Sequence, residues 1–330
     1  MRSLCVMPLS FLLRAVAHLP PFDPLALGLA GRRGEVVKSL ADRCAPERLH
    51  LEPGVLARDP QSLSRYDRLI ADVVDELRND RPSGLRGTLA ALDRAFYRDD
   101  PELLDDPSYP EKKRIAILRM VKFINDGLGS YQRWGDLLQP TLDRLPRTRP
   151  VTIHDVAAGH GMFGLAMKRR WGGRVEVTVS DLAPEYLEMG QRDAAAEGLS
   201  MHFVQQDATD LRGVEGFDVL VCTQSIHHFP PGMVARILGE AARVARVGVW
   251  LIDAERNALA ALALGALAFA QGKGAWGPLH DTVVSLRRMY VQEELDLLAR
   301  LAPAVPKDMR PSTGRIGPGF AWVCLQREAT

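Results

Sequence analysis

The sequence has few cysteines for its length, and they stand far apart. Only 4 of its 330 residues are cysteine, namely Cys5, Cys44, Cys222 and Cys324, and no Cys-x-x-Cys pair or Cys/His cluster is present. Disulfide scaffolds, zinc-binding folds and dithiol redox centres need closely spaced cysteines. The spacing argues against all three classes and indicates a reducing compartment, so we expect a cytoplasmic protein.

Net charge is nearly absent as well. Lys and Arg number 42 against 41 Asp and Glu, which leaves a formal net charge of +1 at pH 7. A chain without a strong overall charge has no field that draws it to nucleic acid or to an anionic membrane surface. We therefore expect no nucleic-acid partner, and we expect recognition to depend on a local site.

No apolar run has the length and composition of a membrane span. Segment 1–19 is interrupted by Pro8 and Arg14 and ends without a small-residue cleavage site, which argues against a signal peptide. The run 258–270 has 13 residues, whereas a spanning helix needs ~20. We expect no stable membrane insertion, and the second run is either a core helix or the cover of an apolar pocket.

The first part of the chain has apolar residues at helical spacing. From residue 34 to 145 they recur every three or four positions, most clearly in 60–79, 111–128 and 131–145. Pro-containing clusters with Asn, Asp, Ser and Gly separate these segments. The pattern predicts a helical N-terminal domain over residues 1–145, which we expect to cover a substrate and to offer a possible homodimer surface.

After residue 145 the pattern changes to short β-branched runs that alternate with helical segments. Parallel strands need a crossover, which is usually a helix, so this alternation predicts βαβ units. A last run, 320–327, is expected to pair at an edge of the sheet. The fold class predicted for 146–330 is a doubly wound, Rossmann-like α/β domain with a seven-stranded, mostly parallel sheet. The other predicted strands are 151–156, 175–181, 201–207, 217–223 and 247–254.

A glycine-containing turn follows the first predicted strand. The segment DVAAGHGMFG, residues 155–164, links that strand to a helix, and its glycines let a ligand approach the backbone. Asp181 ends the second predicted strand, where a carboxylate can bind both hydroxyls of a ribose, and Asp207 ends the third. An initial acid such as Asp155 would repel a pyrophosphate, which argues against an NAD(P) oxidoreductase.

These motifs resemble those of the class I S-adenosylmethionine-dependent methyltransferases over about residues 146–330. That family has a D-x-G-x-G-x-G loop; here Ala157 replaces the first glycine, and CTQSIHHF, residues 222–229, is similar to its segment after strand four. The resemblance implies S-adenosyl-L-methionine as the cofactor and S-adenosyl-L-homocysteine as the product. The cofactor-binding residues that it implies are Asp155, Ala157, Gly159, His160, Gly161, Asp181, Leu182, Asp207, Ala208, Thr223 and Gln224.

Four segments look like a bacterial subgroup of small-molecule methyltransferases that is similar to ubiquinone and menaquinone methyltransferases, namely 101–110, 124–129, 251–260 and 280–295. This resemblance implies a small hydrophobic or aromatic acceptor, polyketide- or quinone-like, and O-methylation in secondary metabolism. Two alternatives stay open. The chain could methylate a peptide or protein side chain, or it could be a non-catalytic cofactor-binding partner of another protein.

Two adjacent histidines after the fourth predicted strand are the candidate catalytic residues. His227 and His228 lie where the acceptor is expected, and the imidazole pKa suits a general base, although such a pair can also simply close a loop. The histidines have no H-x-x-x-H or carboxylate spacing, so we expect no metal. The residues predicted to contact the acceptor are Tyr131, Trp134, Trp276 and His280.

Overall fold

The computed structural model describes six stretches of the chain. They are residues 30–44, 60–80, 84–106, 108–256, 276–317 and 319–328. The apolar run 258–270 lies outside them, as does the side chain of Trp276. In the stretches described, no helix combines the length and the apolar character needed to cross a bilayer.

Seven strands form one sheet in the order β3-β2-β1-β4-β5-β7-β6. The pairs among β1 to β5 are parallel, and β7 runs antiparallel to both β5 and β6. The predicted seven-stranded, mostly parallel sheet is therefore confirmed. The strands are β1 (Val151–Asp155), β2 (Val175–Asp181), β3 (His202–Gln205), β4 (Val219–Thr223), β5 (Gly248–Ala254), β6 (Met309–Ile316) and β7 (Phe320–Arg327).

The edge position predicted for residues 320–327 is wrong. This segment is β7, which lies between β5 and β6, so that β6 forms this edge of the sheet and β3 the opposite one. The sequence did not reveal β6 because Pro311 and Gly314 interrupt a mostly polar run, and both are unfavourable in a central strand. At Gly314 a Cβ atom would lie 2.7 Å from the ring of Trp322. The glycine therefore allows this edge strand to approach β7.

Ten α-helices lie in the described stretches, and the predicted helices 60–79 and 111–128 are confirmed residue for residue. The third predicted helix begins at Ser130 and ends at Arg144. The helices are α1 (Ala30–Arg43), α2 (Pro60–Asn79), α3 (Leu85–Phe96), α4 (Glu111–Leu128), α5 (Ser130–Arg144), α6 (Met162–Trp171), α7 (Pro184–Ala196), α8 (Pro231–Val244), α9 (Trp276–Arg288) and α10 (Gln292–Leu301).

The helices before β1 share their cores with the sheet. On one face, Ile70 and Val74 of α2 are fully buried in the same cluster as Leu238 of α8. On the opposite face, Trp134 and Leu138 of α5 join the cluster that contains β1, β2 and α6. The predicted boundary at residues 145/146 therefore separates the first helices from the α/β segment along the chain. Both hydrophobic clusters contain residues from each side of this boundary.

Candidate active site

The turn between β1 and α6 has a left-handed backbone at alternate residues. Ala157, Gly159 and Gly161 have φ angles of 48°, 55° and 75°. A Cβ atom on Gly161 would lie 2.9 Å from both methyl groups of Val179, so this glycine lets the turn pack on β2. Alanine in this conformation costs about 1–2 kcal/mol, which explains why the family pattern has glycine where this chain has Ala157.

Asp155 lies beneath this turn and does not line the cavity above it. Its Oδ2 atom accepts the backbone N–H of Gly164 at 3.1 Å, which fixes the start of α6. Its Oδ1 atom is buried without a hydrogen-bond partner. Burial disfavours the charged form and raises the pKa of Asp155 to about 7.

The raised pKa of Asp155 predicts a pH-dependent stability. Between pH 4 and 7 the unfolded chain releases the proton that the folded chain keeps, so the free energy of unfolding falls as pH rises and levels off above pH 7. Each pKa unit corresponds to about 1.4 kcal/mol. Asp155→Asn should remove this decline, which urea unfolding across that range would measure. Parallel stability curves for the two proteins would contradict the prediction.

Asp181, at the end of β2, joins the turn to the neighbouring strand. Its Oδ2 atom accepts the backbone N–H of Gly159 at 2.7 Å, and its Oδ1 atom accepts that of Ala183 at 2.9 Å. An ionised carboxylate has about four acceptor sites, so each oxygen can still accept a ligand hydroxyl. The carboxylate lies at the cavity wall, as a ribose-binding acid requires.

A single cavity of about 800 Å³ extends from this turn to the helices that precede β1. Sites for small ligands commonly span roughly 300–1,000 Å³, so the volume is at the large end. Most of the predicted site residues line it. They are Tyr131, Trp134, Ala157, Gly159, His160, Asp181, Leu182, Asp207, Ala208, Thr223, Gln224, His227 and His228.

Three predicted site residues do not line the cavity. Asp155 supports the turn from below through the N–H of Gly164, and Gly161 packs on Val179 of β2. His280 has 39% of its side chain exposed and lies beside Asp281. The wall is formed instead by the face of α9 that carries Thr282, Ser285, Leu286 and Met289, which recur at helical spacing and leave His280 on another face.

The cavity wall opposite the glycine turn is apolar. Ile117, Leu118 and Val121 of α4 contribute to it, and the prediction based on sequence missed them because an amphipathic helix is usually explained by core packing. Behind them Trp134 makes edge-to-face contacts with Tyr131 and Phe163, with ring centroids 5.4 and 5.5 Å apart. These rings form a rigid floor beside the apolar wall.

His227 is held between two carboxylates. It lies on a 3-10 turn, Ile226–His228, and its Nδ1–H donates to Asp253 Oδ2 at 2.8 Å. Its Nε2 atom lies 3.3 Å from Glu102 Oε1. Burial opposes a charged ring, but the two carboxylates outweigh burial and raise the pKa of His227 to about 10.

His228 has a similar arrangement. Its Nδ1–H donates to Asp105 Oδ1 at 2.8 Å, and its Nε2 atom lies 4.0 Å from Glu102 Oε2. The two imidazole rings are 4.2 Å apart at their centroids. The prediction based on sequence missed Glu102, Asp105 and Asp253, although segments 101–110 and 251–260, which carry the family resemblance, contain them.

This geometry does not support the general-base role predicted for His227. Both ring nitrogens face carboxylates, and with a pKa of about 10 the ring carries its proton at neutral pH. A protonated imidazole cannot remove a proton from an acceptor. The ring instead brings positive charge to the cavity wall.

Comparisons with known proteins agree with this architecture. Residues 153–248 match the family model described as "Methyltransferase domain". A demethylmenaquinone methyltransferase of Thermus thermophilus is 35% identical over 107 residues, which are 32% of this chain and 47% of that protein. A ubiquinone biosynthesis O-methyltransferase of Haemophilus ducreyi is 34% identical over 84 residues, which are 24% of this chain and 34% of that protein.

Among solved structures, the plantazolicin methyltransferase BamL has a TM-score of 0.48 and 14% identity to this chain. That alignment covers 67% of this chain and 92% of BamL. The chain spans about half or less of the length of the two curated relatives described above.

Proposed function

We propose that the chain transfers a methyl group to a small hydrophobic acceptor, because residues 153–248 match the "Methyltransferase domain" family model, as the resemblance to the class I S-adenosylmethionine-dependent methyltransferases predicts. S-adenosyl-L-methionine is the donor and S-adenosyl-L-homocysteine the product. One observation carries the proposal: a single cavity joins the glycine turn and its acids to an apolar wall.

The cofactor occupies the end of the cavity at the carboxyl ends of β1 to β4. There Asp181 binds the ribose, Asp207 and Ala208 flank the adenine, and the turn around Gly159 receives the methionine portion. A Cβ atom at Gly159 would meet no atom within 4 Å, so the turn leaves open space on its cavity side. The fourth strand contributes Thr223 and Gln224 to the same end.

Asp181→Ala should weaken binding of S-adenosylhomocysteine. The change removes charge-assisted hydrogen bonds to the ribose, which should cost ~1.5–3 kcal/mol, or roughly 10- to 100-fold in dissociation constant. Isothermal titration of the parent and the variant measures the difference. Asp210→Ala is the matched control, because Asp210 follows the same region of the sheet but pairs with the exposed Arg212. Equal affinities in all three proteins would contradict the cofactor site.

The acceptor occupies the apolar end, between α4, α9 and the rings of α5. Methyl transfer from a sulfonium is an in-line displacement, so the protein must mainly hold the acceptor about 3 Å from the methyl carbon and exclude water. An apolar wall between α4 and α9 suits a flat aromatic molecule better than a charged peptide. We assign a polyketide- or quinone-like acceptor and O-methylation, within secondary metabolism.

Incubation with S-adenosylmethionine and a panel of phenolic and quinone-like compounds tests the reaction. We expect products heavier by one methyl group, formed together with S-adenosylhomocysteine. Val121→Glu should raise the acceptor KM about tenfold or more, because it places an unpaired carboxylate in the apolar wall. Ala116→Glu adds the same group to the exposed face of α4 and should change little. Identical KM values for these variants would place the acceptor elsewhere.

A further inference from the structure

We propose that Glu102, His227 and His228 bind a divalent transition-metal cation through one carboxylate oxygen and two imidazole nitrogens. This Glu–His–His site combines residues that lie far apart in the sequence, which is why the histidine spacing alone predicts no metal. Each of the three side chains offers one ligand atom, and these atoms all lie within 4.8 Å of one another.

The distances suit a small cation after adjustment of the side chains. Ligand atoms about 2.0–2.1 Å from a zinc ion lie roughly 3–3.5 Å from one another. Here His227 Nε2 lies 3.3 Å from Glu102 Oε1, and His228 Nε2 lies 4.0 Å from Glu102 Oε2. The two rings are already side by side. The ligand atoms, which lie within 4.8 Å of one another, would have to approach by up to ~1–2 Å to complete the coordination.

Both histidines have the carboxylate partner that metal-bound imidazoles commonly have. The Nδ1–H group of His227 donates to Asp253, and that of His228 donates to Asp105, each at 2.8 Å. Such a bond keeps a proton on Nδ1 and orients the ring, so that a cation can displace the proton from Nε2 and take this nitrogen as its ligand. A pair of histidines that merely closed a loop would not need both Nε2 atoms to face the same carboxylate.

Glu102 provides an independent indication. Only 3% of this residue is exposed, and its Oε1 atom is buried without a hydrogen-bond partner. Arg288 is 3.9 Å from that oxygen and binds Asp105 at 2.7 Å instead. The donor nearest to this buried oxygen is His227 Nε2 at 3.3 Å, a long contact that satisfies a buried carboxylate poorly, and a cation at the Glu–His–His site would satisfy it.

The surrounding charges favour a cation. Asp105, Asp253 and Asp281 lie around the site, and Asp281 accepts the backbone N–H groups of Leu103 and Leu104 next to Glu102. Arg288 is the guanidinium that reaches this group. Together with Glu102 these are four carboxylates against Arg288 and the protonated His227, and the excess negative charge raises the local affinity for a divalent ion.

The donor set selects the class of metal. Two imidazoles and one carboxylate suit Zn²⁺, Co²⁺ and Fe²⁺, whereas Mg²⁺ and Ca²⁺ prefer oxygen ligands. All three ligands line the cavity, so the remaining coordination positions face the acceptor end. If the proposed function holds, an acceptor oxygen bound there loses its proton more readily, because the cation stabilises the anion.

Metal titration of the full chain tests the site. The protein is treated with a chelator and dialysed, and Co²⁺ is then added while the visible absorption spectrum and the heat of binding are recorded. We expect one equivalent of Co²⁺, displaced by Zn²⁺ and not by Mg²⁺. Glu102→Gln and His228→Gln should weaken binding by about 100-fold or more, and Asp105→Asn by ~10–100-fold. His202→Gln removes an exposed histidine and is the matched control.

The proposal is overturned if the folded parent binds no stoichiometric Co²⁺, or if the Glu102→Gln and His228→Gln variants bind it equally well. Loss of binding in His202→Gln would assign the metal to a surface site and overturn it too. Circular dichroism melts establish that each variant is folded. Titration with S-adenosylhomocysteine is run in parallel. If the protein binds S-adenosylhomocysteine but not Co²⁺, only the metal site is refuted. If it binds Co²⁺ but not S-adenosylhomocysteine, only the methyltransferase proposal is refuted.

Discussion

Replacing Glu294 by alanine should lower the free energy of unfolding by about 3–5 kcal/mol, the largest stability change that we expect from one substitution. Glu294 is buried on α10, and its Oε1 atom accepts Arg78 Nε at 2.7 Å and Arg256 Nη2 at 2.8 Å. Both arginine side chains are at least 96% buried. Alanine would remove the carboxylate that the two buried guanidinium groups share. Urea unfolding would measure the resulting loss of stability.

A surface pair on the same helix provides the control. Asp296 accepts Arg300 at 3.0 Å with both side chains partly exposed, so Asp296→Ala should cost less than about 1 kcal/mol. Glu294→Gln, which keeps the shape and one acceptor, should lie between the two. A loss below 1 kcal/mol for Glu294→Ala would show that the arginines find other partners, and the cluster would then not stabilise the fold.

This ionic cluster explains how the N-terminal helices belong to the fold. Arg78 lies on α2, Asp93 on α3, Arg256 just after β5 and Glu294 on α10, and Arg256 also binds Asp93 at 2.8 Å. Burial of Ile70 and Val74 adds apolar contacts on the same side of the sheet. The helices before residue 100 therefore stabilise the sheet and the helices packed on it.

Local patterns predicted most of the fold. The strands β1, β2, β4 and β5 are runs rich in β-branched and apolar residues, and burial inside a parallel sheet requires such runs. An edge strand has no such requirement, because one side of it carries no neighbouring strand. The segment 309–316 could therefore include Pro311 and Gly314 and escape prediction, and the position of β7 was wrong for the same reason.

The candidate site was predictable where its residues are adjacent in sequence. The turn 155–161 and Asp181 follow strand ends, whose positions in a parallel sheet are fixed by topology. The partners of the histidines are different. Glu102 and Asp253 reach His227 only through tertiary packing, so no spacing rule connects them. Without those carboxylates an imidazole resembles a free base, and this is why the sequence indicated a general base.

His227→Gln should reduce the rate of methyl transfer by ~10²–10³-fold while changing the affinity for S-adenosylhomocysteine little. An acceptor oxygen is a better nucleophile as an anion, and the Glu–His–His site holds positive charge, as a proton or as a cation, against the cavity wall. Removing one preorganised group that stabilises the negative charge developing on the acceptor oxygen typically reduces the rate by this factor. Single-turnover rates with an acceptor identified in the panel measure the effect.

His160→Gln is the matched control for this prediction. His160 lines the cofactor end of the same cavity, and burial lowers its pKa to about 4, so it carries no charge at neutral pH. We expect this variant to alter the dissociation constant of S-adenosylhomocysteine and not the rate with saturating cofactor. If His227→Gln methylates at the parental rate, the imidazole has no part in the reaction. If its rate and cofactor affinity fall together, the residue positions the cofactor and does not stabilise the acceptor.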